Sequence, residues 1–106
     1  MLRFCIHYGL HFVFPLILAL YFYRKKWKTV YLVFLLCMLI DLDHLLAMPI
    51  FDPNRCSINF HPLHTYYAIA VYAGMLFFTK TRVLGIGLLL HILADSADCW
   101  MMALGY

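Results

Sequence analysis

Glutamate is absent from this 106-residue chain, and its five acidic residues are all Asp: Asp41, Asp43, Asp52, Asp95 and Asp98. Without Glu, the carboxylate di-iron bundle built on Glu-x-x-His pairs is disfavoured. Charge of either sign is scarce, at 12% of residues with a net +3, about half the usual share. That scarcity excludes a disordered chain and a soluble nucleic-acid module, which needs a basic face. Four Cys (Cys5, Cys37, Cys56, Cys99) are present without a CxxC spacing, so a zinc ribbon, a thioredoxin-type motif and a CxxCH haem attachment are also excluded. No segment alternates with a period of two, as the strands of an outer-membrane barrel would. Internal repeats and low-complexity tracts are missing as well.

Apolar side chains are what the chain has in excess: 66% of residues, with a mean hydropathy of +0.87. A soluble domain of this size buries only about 60–70% of its unfolded surface, too little to hide them. Four spans of about 20 residues would use most of the length. The pattern predicts helices at about 2–23, 29–48, 62–78 and 83–104, with an outer loop over 49–61 marked by Pro53, Asn54 and Ser57. The basic cluster Arg24-Lys25-Lys26-Trp27-Lys28 follows the first apolar run instead of preceding it, so that run reads as a retained helix rather than a signal peptide. The expected fold is one all-α domain, 1–106: a four-helix antiparallel transmembrane bundle. Arg24, Lys25, Lys26, Lys28, Lys80 and Arg82 lie on one side and only Arg3 and Arg55 on the other. The positive-inside rule then puts both termini and the loop on the non-cytoplasmic side, the periplasm if this is the inner membrane of a Gram-negative bacterium.

On that topology every His, and every Asp except Asp52, falls at the outer end of a helix. His7 and His11 are four apart on the first helix, and Asp41, Asp43 and His44 end the second. His61 and His64 open the third, while His91, Asp95 and Asp98 form a stripe about 60° wide on the fourth. An intramembrane carboxylate costs about 2.5–3.5 kcal/mol at a helix centre, so the convergence calls for a function. Neutral His with Asp is a donor set for zinc, manganese or iron, and a divalent cation offsets the burial of the carboxylates. The expected ligands are His7, His11, Asp41, His44, His64, His91, Asp95 and Asp98. They outnumber the ligands of one zinc, which points to two or three ions. On an ideal α-helix Asp43 lies about 160° from the Asp41/His44 side. Unless the helix unwinds there, it bridges, orients a ligand or faces the loop. Asp43 and His61 are the candidates for acid/base work, and Arg55 for contact with an anionic head group. Cys5, Cys56 and Cys99 fall on the oxidising side, where a disulfide among them can form, and Cys37 reads as an apolar filler.

The ordered set His7, His11, Asp41-Leu-Asp43-His44, His61-Pro-Leu-His64-Thr65 and His91-xxx-Asp95 resembles the YdjM-like membrane-bound metal-dependent hydrolases, over essentially the whole chain. These have been compared with zinc-dependent phospholipase C. The resemblance implies metal ligation by His7, His11, Asp41, His44, His64, His91 and Asp95. Pro62 stands where larger relatives carry a basic residue, and Thr65 where they carry Ser. The expected function is hydrolysis of a phosphoester of a lipid or periplasmic substrate, zinc being the first choice of metal. The alternative is a non-enzymatic metal-binding membrane protein that senses, stores or carries a divalent ion. A through-path for transport is disfavoured by the apolar inner halves of the helices.

Overall fold

The structure is a computed structural model that describes residues 2–46, 56, 58 and 61–105, with only the backbone at His44. Arg55 and most of the expected outer loop lie outside the described residues. All regular structure among the described residues is helical, in four segments. They are α1 (Leu2–Phe22), α2 (Trp27–Leu36, continued as a 3-10 helix over Cys37–Leu46), α3 (Tyr66–Phe77) and α4 (Arg82–Ala103). Two of them, α1 and α4, are long and apolar enough to cross a membrane; α3 is a shorter apolar helix.

The departures from the expected helices are local. Pro15 has no N–H for the carbonyl of His11 and its ring crowds that turn. The helix responds with a π turn over Gly9–Val13, in which the N–H of Phe14 bonds the carbonyl of Gly9, five residues back. Beside this turn Tyr31 donates its hydroxyl to the carbonyl of Phe12 at 2.8 Å. In the second segment the α-helix tightens at Cys37 into ten residues of 3-10 helix, longer than such runs usually extend. Residues three apart eclipse there, so Asp41 and Asp43 end about 120° apart rather than 160°. In the third segment Pro62–His64 forms a separate 3-10 turn, and extended Thr65 divides it from the helix. The Thr65 hydroxyl donates to the carbonyl of Pro62 and accepts from the N–H of Ala68, capping α3.

The fourth helix is the centre of the bundle and packs against the other three segments. Two glycines permit the approach. A Cβ on Gly87 would stand 2.6 Å from Sγ of Cys37, and one on Gly85 2.9 Å from Cβ of Met75. Below the polar end, Cys37, Tyr72, Leu88 and Ile92 form one apolar cluster, and Ala19, Val30 and Phe34 form another. Cys56 and Cys99 are joined by a disulfide, which ties the segment before α3 to the end of α4. Cys5 is free and exposed, and Cys37 free and buried, as an apolar filler should be.

Candidate metal centre

The buried polar side chains are His11, Asp43, His61, His64, His91 and Asp95, while Phe4, Val13, Ile17, Leu32, Leu39, Leu42 and Val71 are exposed. A polar cluster is thus buried at one end beside the apolar clusters, while many large apolar side chains face outward. His91 and Asp95 are one turn apart on α4 and meet, Nε2 to Oδ2, at 3.1 Å. The turn before α3 brings Nε2 of His64 to 3.2 Å from Nε2 of His91 and 2.9 Å from the same Asp95 oxygen. The 3-10 stretch brings Oδ1 of Asp41 to 3.0 Å from His91 and 3.3 Å from His64. Four potential ligand atoms, from three different segments, thus face one point.

The spacing is compatible with a shared cation as well as with direct hydrogen bonds. A tetrahedron with arms of about 2.0–2.1 Å, the usual zinc–nitrogen and zinc–oxygen distances, has edges of about 3.3–3.4 Å. The separations here run from 2.9 to 3.3 Å, at or slightly inside those edges. Oδ2 of Asp95 is buried and, despite its two close imidazole neighbours, has no directed hydrogen bond among the described residues. A buried carboxylate oxygen left so is costly unless a cation faces it. The donor set, nitrogen and oxygen without sulfur, suits zinc, manganese or iron.

His64 is held from behind. Its Nδ1 lies 2.9 Å from Oδ2 of Asp43, and the same oxygen accepts the N–H of Leu63 at 2.9 Å. Tyr72, on α3, donates its hydroxyl to the carbonyl of Leu63 at 2.7 Å. This is the carboxylate–imidazole arrangement that fixes tautomer and ring orientation in metal sites. Asp43, expected as an acid/base group, lies against the far nitrogen of His64, a place from which it can orient the ring. Tyr72 carried no functional signal in the sequence, because a tyrosine in an apolar helix looks like any core aromatic.

A second group adjoins the first. Nε2 of His11 lies 3.2 Å from Oδ1 of Asp95, and Nε2 of His7 lies 4.0 Å from the same oxygen. The rings of His7 and His11 are 4.4 Å apart, and those of His11 and His91 4.5 Å. Asp98, expected as a ligand, is instead paired with Arg3 at 3.1 Å, with Nδ1 of His7 4.0 Å from the same oxygen. Arg3 entered the sequence reading only as a charge. His61 is almost fully buried next to His64, their rings 5.8 Å apart, outside both groups. The side chain of His44 and the whole of Arg55 are outside the described residues. The structure thus brings together His7, His11, Asp41, His64, His91 and Asp95, with Asp43 and Asp98 behind them.

The profile of DUF6122, a family of unknown function, matches residues 1–102, and the chain belongs to that family. No curated protein and no solved structure matches the chain.

Proposed function

We propose that this DUF6122 protein is an integral membrane metal-dependent hydrolase acting on a phosphoester of a lipid or periplasmic substrate. The observation that carries the reading is the convergence of Asp41, His64, His91 and Asp95 at the separations of a metal's ligand sphere. Zinc is the first candidate, with manganese and iron behind it. A divalent ion held there supplies Lewis-acid polarisation of a phosphoryl oxygen and acidifies water into the neutral range. The chain's own contribution is to hold the imidazoles with Nε2 inward, through Asp43 and Tyr72, and to keep the surroundings dry. Asp41, whose side chain is 38% exposed, marks the side from which a substrate oxygen enters. His61 is the remaining titratable side chain at hand for proton transfer. The resemblance to the YdjM-like hydrolases supports the same reaction class.

The membrane reading is an antiparallel four-span bundle in a bacterial inner membrane, with both termini and the metal centre facing outward. The apolar exterior and the segregation of Lys and Arg to the opposite end support it. At about 1.5 Å per α residue and 2.0 Å per 3-10 residue, α2 and its continuation cover roughly 35 Å, enough for a 30 Å hydrocarbon core. The third helix is shorter, and its entering turn sits at membrane depth against the metal centre, where irregular backbone is tolerated. The Cys56–Cys99 disulfide at the same end fits an oxidising compartment.

Elemental analysis of the detergent-purified protein, beside His91→Ala and Asp95→Ala, tests the site. Stoichiometric metal in the wild type, lost in both variants, is expected, together with metal-dependent cleavage of bis(p-nitrophenyl) phosphate. Metal without hydrolysis of any phosphoester would favour the sensor, store or carrier instead. No metal after metal-replete purification would leave a protonated His/Asp network and sink the proposal. Labelling of Cys56 and Cys99 in intact cells by a membrane-impermeant maleimide, only after reductant, is the expected topology result.

A further inference from the structure

Asp95 has two oxygens, and they face different groups. Oδ2 belongs to the cluster with His64 and His91, at 2.9 and 3.1 Å. Oδ1 turns to α1, where His11 lies at 3.2 Å and His7 at 4.0 Å. We infer that the protein holds a second divalent ion between His7, His11 and Oδ1 of Asp95, so that Asp95 bridges a pair of ions. The inference deepens the metal-dependent reading above and rests on its first site.

Three arguments support it. In two-metal sites the ions stand about 3.5–4 Å apart, a separation that one carboxylate with an oxygen toward each can span. Next, one ion alone leaves the rest of the cluster without a reason. His7 and His11 meet edge to face, His11 buried and His7 partly so, and the Nδ1 atoms of both lack a hydrogen-bond partner among the described residues. Their Nε2 atoms are the ones nearer Asp95. Finally, the two positions differ in ligand number. The first offers four protein ligands, so an outside oxygen reaches an ion there only where the sphere expands beside the exposed Asp41. The second offers three, the number that leaves a coordination place for an outside ligand. Each position has one accessible ligand: Asp41 in the first, its side chain 38% accessible, and His7 in the second, at 24%. By ligand number the second position is the one more open to an oxygen from outside, and Arg3, held by Asp98 next to His7, puts a guanidinium at its rim. An anionic oxygen, of the kind a phosphoester presents, matches that rim.

Manganese(II) titration of the full-length protein in detergent, read by electron paramagnetic resonance, tests the pair without reference to activity. The wild type is expected to bind two equivalents and to give the multiline spectrum of exchange-coupled ions. His11→Ala and the milder His11→Gln should each bind one, with the six-line spectrum of an isolated ion and an affinity for it within about tenfold of the wild type. Asp95→Asn should lose the coupling at any loading. A single equivalent in wild type and His11→Gln alike, or two equivalents that never couple, would overturn the inference. A coupled pair in a protein that hydrolyses no phosphoester would preserve it while removing the hydrolase reading. Hydrolysis supported by one ion alone would do the reverse. Unfolding curves of the variants separate lost ligation from lost fold.

Discussion

The two halves of the centre are built differently. The half around His64 and His91 draws its ligands from three segments and has an outer layer: Asp43 fixes His64, and Tyr72 fixes the turn that carries it. The half around His7 and His11 takes both imidazoles from one face of one helix, shaped by a π turn, and shares Asp95 with the first half; among the described residues Asp98 lies behind His7. Pre-organisation is thus concentrated in the first half and openness in the second. Long-range contacts make the rigid part, while a single helix makes the part that can admit a ligand.

Asp43→Ala should have the largest effect on that contrast. Removing an orienting carboxylate typically costs 10–100-fold in metal affinity. The loss should fall on the His64/His91 position and spare the α1 position; Asp43→Asn should be milder. Isothermal titration with zinc reads the two steps, and equal losses in both would erase the distinction drawn between the halves.

Gly87→Ala should come next. Its methyl group would meet Sγ of Cys37 and the ring of Phe34, pushing the second segment off α4 and Asp41 away from His91. Overpacking of this kind costs about 1–3 kcal/mol, read as a lowered Tm in detergent. Adding Cys37→Ala should recover part of it, whereas no recovery would mean the backbone of Phe34 sets the approach.

Pro15→Ala acts on the other half. With an N–H restored at residue 15, the helix should regain α register and rotate His7 and His11 relative to Asp95. A loss of roughly tenfold is expected at the α1 position alone, measured by cobalt(II) absorption. Unchanged binding would show that the π turn does not depend on the proline.

The smallest effect belongs to Tyr31→Phe, which removes the hydroxyl donated to the carbonyl of Phe12. One hydrogen bond is worth about 0.5–1.5 kcal/mol, so a slight drop in thermal stability with both metal steps intact is the outcome to look for.

Much of this was legible in the chain itself. His91 with Asp95, and His7 with His11, are pairs four apart, and helical periodicity alone puts such residues on one face. The apolar composition and spacing of turn residues marked four helices, and the structure has four helical segments among its described residues. The helix type within the second and third was not legible, because a 3-10 helix and a capped turn keep the same apolar pattern as an α-helix while changing its pitch.

What only the tertiary structure decided are the relations between helices. That Asp43 belongs to His64, that Asp98 takes Arg3, that Cys56 joins Cys99 and that Asp95 faces two groups all depend on how far each helix is rotated toward its neighbours. A hydrophobic pattern specifies which residues lie at one depth and on one face. The rotation that chooses among those residues comes from close packing, here at Gly85, Gly87 and the two distorted turns, and no single helix encodes it.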